Sequence, residues 1–426
     1  MNKTSNKFRH LVWPLVSLAL LLLFNALFTK NFFKIEIKKQ DSAQAVQALS
    51  GTAESPRPGT SWITPENYEA AGDSAEAAAN AASENAGAAA NAASDAAGQQ
   101  QAVPEKKDGN GVSIFGYYLY GTPIDILNQG SKVMVLAIGM TLVIATGGID
   151  ISVGAVMAIA GAIAALLISM LDAGNCPGAS MGPAFYWIIP VAAALVLSSI
   201  AGFWNGMLVA GFGIQPMVAT LVLMVAGRGV AQLITDGQII TFDNPGLVFL
   251  CNGHALFLPF SVWIVVTMYV IAGLLTRKTA FGLFIESVGN NERASRYAGI
   301  EARRIKWLTY VICGFCAGVA GLLAASNIKC ADSNNAGLNL ELDAILATVI
   351  GGTSMAGGRF FLSGSLVGAI LIQTLTTTMY MKNVSPAIVQ VPKAMVVIIV
   401  CLLQSPVFRA KVLSVFASKA AKGGVQ

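Results

Sequence analysis

Asp150, Arg228, Asp343 and Lys393 lie inside or beside long apolar stretches. A charge held at the centre of a bilayer costs at least ~2.5–3.5 kcal/mol on insertion scales. Such side chains must face protein or water rather than lipid. Two uses fit them: a polar pathway through a helix bundle, or structural ion pairs that hold helices together. Lys132, Glu341 and Arg359 share the setting. Around them run Asn205, Gln215, Thr220, Asn334, Asn335 and Gln373, a set of donors and acceptors suited to a polyhydroxy ligand. No line of Asp, Glu and His along one helix suggests an ion relay.

Two glycine-bearing stretches interrupt the apolar pattern. The first, VIATGGIDISVG (143–154), places Gly147, Gly148, Asp150 and Ser152 at a depth where Leu and Val are usual. Irregular backbone is tolerated there only beside protein or a watery cavity. It reads equally as a broken helix beside a path and as a tight turn, with Asp150 or Ser152 capping the next helix. The second, VIGGTSMAGGRFFLSGSLVGAI (349–370), carries Gly351 and Gly352. The two stretches resemble each other, as parallel halves of a transporter would.

Other chemistry is sparse. There is no GxxxxGK[ST]; the nearest approach, GTSMAGGR (352–359), lacks the lysine and the hydroxyl that hold phosphate and metal. His10 and His254 have no metal-ligand spacing. Cys313 and Cys316 form a CxxC within an apolar span, where packing is the expected role. Cys176, Cys251 and Cys330 fall in expected outer loops, and a disulfide between two of them would need an oxidising compartment.

The elements that must position these residues are membrane helices. The chain is 55% hydrophobic and 12% charged over 426 residues. A span needs about 20 apolar residues. Ten stretches qualify: 11–29, 133–146, 153–171, 184–201, 216–234, 255–275, 306–326, 340–355, 361–380 and 388–404. Loop 277–306 holds Arg277, Lys278, Arg293, Arg296, Arg303, Arg304 and Lys306, so the positive-inside rule places it in the cytoplasm. Counting spans then places both termini there too. Residues 1–36 form a short tail and the first span, 114–404 the membrane core, and 405–426 a cytoplasmic tail. Between them, 37–113 is an Ala/Ser/Asn-rich extracytoplasmic insertion, in which AAANAASENAG (77–87) is followed by AAANAASDAAG (88–98). It has few large apolar side chains to bury and reads as low-complexity, disordered chain.

Loop 277–306 has internal form. Gly289, Asn290 and Asn291 read as a turn into a short helix over 292–298 that contains Ala294 and ends at Gly299. A charged helix between two spans is suited to docking on a soluble partner.

Here a family resemblance enters. GMTLVIATGGIDISVGAVMAIAGA (139–162), WNGMLVAGFGIQPMVATLVLMVAGRGVAQLITDGQIITF (204–242), RKTAFGLFIESVGNNERASRYAGI (277–300) and NNAGLNLELDAILATVIGGTSMAGGR (334–359) together resemble the ribose/galactose-type ABC importer permeases. The resemblance covers about 114–404. It implies an all-α polytopic protein of the bacterial inner membrane that passes a monosaccharide, galactofuranose or a ribose/galactose-like sugar, into the cytoplasm. The implied partners are a cytoplasmic ABC ATPase, a second permease (a sibling or another copy of this chain) and an extracytoplasmic sugar-binding protein. ATP would bind the ATPase, with no cofactor or nucleic acid on this chain. Residues 289–300 match the family's coupling helix. The insertion and loop 172–183, with Cys176 and Pro177, depart from the family pattern where the binding protein should dock. Two other classes stay open: an ion-coupled secondary transporter, and a membrane-anchored structural or receptor protein working through its insertion.

Overall fold

The computed structural model describes residues 5–29, 32–39, 117–172, 185–385, 388–395 and 398. The Ala-rich repeats, Cys176 with its loop, the C-terminal tail and most of the tenth expected span lie outside the described residues.

The described chain is helical. In order it forms α1 (Ser5–Phe28), α2 (Thr122–Ala145), α3 (Val153–Asp172), α4 (Phe185–Gly206), α5 (Pro216–Ile234), α6 (Pro245–Asn252), α7 (Phe260–Lys278), α8 (Ala280–Asn290), α9 (Glu292–Tyr297), α10 (Ala302–Ile328), α11 (Leu340–Ile350) and α12 (Leu362–Met381). Seven of the described helices are long and apolar enough to cross a membrane: α2, α3, α4, α5, α7, α10 and α12. A π-helical turn, Met207–Gly211, extends α4.

α10 forms the centre: it packs along α2, α3 and α4, and α12 closes on α2. The core between them is built from residues such as Leu136, Met140, Ile144, Met157 and Leu323. Small residues set the spacing. On α4 and α10, a Cβ at Gly202 would overlap Tyr310 O, and one at Gly314 would overlap Ser198 O. Backbone therefore touches backbone there, the packing that membrane helices use when apolar burial gives no advantage over lipid. The outer helices present apolar faces, among them Val196 and Ile200 on α4, Leu221, Val222 and Val225 on α5, and Val270 and Leu274 on α7. α1 lies against α12, where buried Asn25 Nδ2 donates to Thr378 Oγ1 at 2.8 Å.

Two expected spans change shape. The stretch read as 133–146 begins eleven residues earlier, at Thr122. The stretch read as 340–355 is a helix of only 11 residues, about 16 Å, or half of a ~30 Å hydrocarbon core. The chain reaches that half-helix by folding inward. After β4 (Cys330–Ala331), which pairs with β3 (Ile240–Thr241), residues 332–339 run back into the bundle until Gly337 meets Gly154 at the start of α3. Past α11, residues 351–361 form a loop whose Gly358 N donates to Ala145 O, at the end of α2, at 2.9 Å.

Both ends of the insertion are pinned. β1 (Glu36–Lys39) pairs antiparallel with β2 (Tyr117–Tyr120), Lys39 opposite Tyr117, and Leu119 N donates to Phe257 O at 3.1 Å. The insertion thus leaves and re-enters at one place. Replacing residues 40–116 by Asn-Gly, a two-residue hairpin turn that suits this pairing, should leave the melting temperature and membrane insertion of the chain unchanged. A collapse in the yield of folded protein would show that the insertion packs on the core.

Candidate functional site

The two glycine-bearing stretches are each a helix–loop–helix, and they meet. Gly357 packs on the backbone of Gly147, and Gly358 on the side chain of Asn290. In the first loop Gly147 takes φ 79°, a conformation that favours glycine, and a Cβ at Gly148 would overlap the hydroxyl of Tyr310. Asp150 is 1% exposed. Its Oδ1 accepts from Ser152 N at 3.0 Å, Ser152 Oγ at 2.6 Å and Asn205 Nδ2 at 3.3 Å. Asn205 also donates to Ser152 Oγ at 2.8 Å. Thr220, from α5, donates to Ile149 O at 3.4 Å. The carboxylate thus closes the turn and ties α3 to α4. Two buried atoms of this cluster, Tyr310 OH and Asn205 Oδ1, have no partner among the described residues. Gln215 precedes α5 and makes no side-chain cap bond.

A second group lies toward the other end of the bundle, around a cavity of about 120 Å³. Its polar wall has three parts. Asp125, Gln129 and Lys132 line it from the first half of α2; Asp332 and Asn335 from the inward-folding segment; Asp343 and Gln373 from α11 and α12. Its apolar floor is made of small residues on α3 and α10, Ala158, Gly161, Gly321 and Ala325. Lys393 Nζ donates to Asp343 Oδ2 at 2.9 Å and Oδ1 at 3.2 Å, with both side chains nearly sealed from solvent. Lys132 and Asn327 donate to Gln129 Oε1 at 2.9 and 2.8 Å. Asp332 holds its own turn, accepting from the backbone N of Asn334 and Asn335 and from Asn335 Nδ2.

Arg228 does not join this wall. It donates to Ala336 O at 2.6 Å and Ser333 O at 3.2 Å, fastening α5 to the inward-folding segment. Asn334 accepts from Gln232 of α5 at 2.7 Å. Gly351 closes the end of α11 against Gly364, and Gly352 takes φ 90°. Of the polar and charged residues singled out in the sequence, then, Lys132, Asn335, Asp343 and Gln373 line the cavity. Gly147, Gly148, Asp150, Ser152, Asn205 and Thr220 form the separate closed turn.

The short helix of the basic loop is α9. Asn291 caps it, its Oδ1 accepting from Ala294 N at 3.0 Å, and Gly299 follows at φ 83°. Glu292 bridges Lys306 and Arg296, each at 2.6 Å. The hydrogen bond from Lys306, with Arg296 beside it, holds the Glu292 carboxyl below its usual range. That support is present above the unfolded carboxylate range and is lost as pH falls through the folded value. Gly289 packs so closely on Ala145 O and Gly358 N that a Cβ would overlap both. Cys251 and Cys330 are free thiols, so no disulfide joins them; Cys251 is buried and donates to Asn128 Oδ1.

Several residues escaped sequence reading. Asp125 and Gln129 recur with Lys132 at i, i+4 and i+7, a polar stripe on one helical face, but hydropathy placed the stripe before a span, and only Lys132 was singled out. Tyr297, 94% exposed on α9, lay inside a charged loop. Tyr310 gave no signal.

Membrane-length helices around an internal polar cavity, with a half-helix opening onto it, define a polytopic membrane permease. A family model described as the permease component of branched-chain amino acid transport systems matches residues 122–402, and the chain belongs to this family. It is 55% identical over 290 residues (68% of this chain, 81% of the relative) to the galactofuranose transporter permease protein YtfT of Escherichia coli K12. It is 41% identical over 292 residues (68% and 78%) to the fructose import permease protein FruF of Bifidobacterium longum. It is 34% identical over 293 residues (68% and 87%) to the ribose import permease protein RbsC of Escherichia coli K12. No solved structure matches the chain. The protein is therefore a multi-pass inner-membrane transport subunit, of a family whose permeases work with an ATPase and a binding protein.

The buried pair gives a test of the wall. Lys393→Met should destabilise the protein by about 3–5 kcal/mol, because Asp343 is left buried and unpaired, whereas Asp343→Leu with Lys393→Met should cost far less. Thermal unfolding of the purified variants in detergent measures both; equal losses would mean that the pair is not coupled.

Proposed function

We propose that this chain is the permease subunit of an ABC importer that carries a monosaccharide, galactofuranose or a ribose- or fructose-like sugar, into the cytoplasm. The observation that carries this reading is the polar cavity at the N-terminal end of the α11 half-helix, in a chain 55% identical to a galactofuranose permease. Half-helices that end at a cavity are a recurrent way to build a transport site in a membrane.

Orientation follows from charge. Arg277, Lys278, Arg293, Arg296, Arg303, Arg304 and Lys306 gather at the end that holds α8 and α9, so this end is cytoplasmic. Both termini are cytoplasmic on the same count, and the cavity lies toward the outer face, where a binding protein would deliver sugar. The remaining partner is a second permease, a sibling or another copy of this chain.

The ATPase would seat on α9, whose Ala294 and Tyr297 face solvent with Gly299 just past its end. A Cβ on Gly299 would meet nothing. From α9 the route inward is short. Gly289 and Asn290 touch the end of α2 and residues 357–358, and that loop is continuous with α11. Movement of the coupling helix would shift the half-helix that faces the cavity. The ATPase–ATP complex can drive this only by binding one arrangement better than the other.

Two measurements follow. In vesicles holding this chain, its sibling permease and the ATPase, uptake of labelled sugar should require both ATP and the binding protein. Uptake that ignored ATP and followed an ion gradient would make the chain a secondary transporter. Replacing Ala294 by Trp should abolish ATPase recovery with the permease while leaving its folded yield unchanged. Normal recovery of the complex would remove α9 from the interface.

A further inference from the structure

We infer that residues 332–339 are a strap with two seats, closed when Arg228 holds the strap's carbonyls and open when Arg228 turns to Glu341. The inference rests on the importer reading and adds to it the part that opens the cavity toward α5.

The strap stands between the cavity and α5. Asp332, Asn335, Ala336, Gly337 and Leu338 line the cavity, and no residue of α5 does. On the strap's other side, α5 and the residue after it fasten it. Arg228 Nη1 donates to Ala336 O at 2.6 Å, Ser333 O at 3.2 Å and Asn334 O at 3.4 Å. Gln232 Nε2 donates to Asn334 Oδ1 at 2.7 Å, and Thr235 Oγ1 lies 2.8 Å from Ser333 Oγ. Among the described residues no backbone hydrogen bond joins α5 to the strap. Side-chain bonds can be exchanged without rebuilding either backbone.

The strap also has defined ends. Before it, β4 is paired to β3. After it, Gly337 lies against Gly154 and, like Asn339, takes a left-handed conformation, with φ 75° and 64°. That conformation is uncommon for a residue other than glycine, and here it falls where the strap meets α11. Bending at this point would move 332–336 and leave α3 and α11 in place.

A second acceptor is waiting. Glu341, in the first turn of α11, is buried, and its Oε2 has no hydrogen-bond partner among the described residues. The charges of Glu341 and Asp332 both act on Arg228. Asp332 is engaged in its own turn through Asn334 and Asn335, which leaves Glu341 as the acid to receive Arg228. A guanidinium carries five N–H donors, and the described bonds of Arg228 use Nη1 alone. Bonds to a carboxylate are about twice as strong as bonds to neutral acceptors. One pair with Glu341 therefore compares with the several neutral bonds of the closed seat. A partner that binds the two arrangements unequally can then choose between them.

A disulfide tests the strap. The Thr235 and Ser333 oxygens are close enough that cysteines at both positions are placed to bridge. The variant Thr235→Cys with Ser333→Cys, in a Cys176→Ser, Cys330→Ser background, is assembled with its partners in vesicles. Oxidation should lower ATP-driven import at least about tenfold relative to the reduced form, and a reductant should restore it. ATP with the binding protein should slow formation of the disulfide about threefold, because the strap then spends time away from α5. Glu341→Gln keeps the size and an acceptor oxygen but loses the charge. It should abolish that slowing and reduce import without lowering the melting temperature.

Wild-type vesicles carry the importer test separately. ATP-driven import that continues at the reduced form's rate with the disulfide complete overturns the strap and leaves the importer reading standing. Wild-type uptake that ignores ATP, with uptake by the double variant still stopped on oxidation, does the reverse. If the cysteines themselves stop import, cross-linking decides. A rate that is the same with and without ATP overturns the movement, and slowing that persists in Glu341→Gln overturns Glu341 as the second seat.

Discussion

Hydrocarbon offers no hydrogen bonds, and the rest of this structure follows from that constraint. A helix may break within the membrane only if protein satisfies the freed backbone. Two glycine-bearing loops, 146–152 and 351–361, hold backbone that their helices leave unpaired, and each is closed differently. In the first, one carboxylate does the work: Asp150 takes the Ser152 amide, the Ser152 hydroxyl and the Asn205 amide. In the second, backbone does it, through Thr353 N to Thr348 O, Ser354 N to Arg359 O and Gly358 N to Ala145 O. The last of these bonds closes one loop against the helix that leads into the other.

This mutual closure explains the glycines at the junction. Gly147, Gly289, Gly357 and Gly358 bring three chain segments into backbone contact, and a Cβ at Gly289 would force them apart. Without side chains between them, the segments cannot slide by rotamer changes; a shift in one is passed on to the others. Packed interfaces of this kind change between discrete arrangements rather than deforming continuously. The same closeness joins a solvent-facing helix, α9, to α11 by way of a few residues, with the cavity beyond.

Much of this was legible in the sequence, because the signals were local. Membrane helices announce themselves by composition, and α9 by a capping asparagine and a following glycine. The Asp150 turn was legible as an alternative, and its bonding is that of a cap for α3 within a buried cluster. The rest depended on contacts between distant segments. Hydropathy cut α2 at Val133 because its first half turns a polar stripe, Asp125, Gln129 and Lys132, toward the cavity; the polarity that marks the site is what hid the helix. The half-length of α11 was masked by an apolar stretch that continues past Ile350 into a loop. Asp343 and Lys393 were both visible as membrane charges, but 50 residues separate them, and neither sequence position names the other.

That pair also bears on why a permease keeps ions in its wall at all. A buried ion pair is a poor source of stability, since desolvating both charges offsets most of their attraction. An apolar pair of similar volume would hold α11 as well. What an apolar pair cannot do is present acceptor oxygens to a passing polar solute. Lys393 holds the Asp343 carboxylate in place through both oxygens, and because each partner is already satisfied, a ligand need not be bound tightly to be accommodated. A transport site must release what it binds, so a wall of self-satisfied groups lowers the cost of emptying it. The same logic applies to Asp332, which closes its own turn through Asn334 and Asn335, and to Gln129, already bonded to Lys132 and Asn327. These polar wall groups have partners without an occupant, which is the condition for a site that is visited rather than filled.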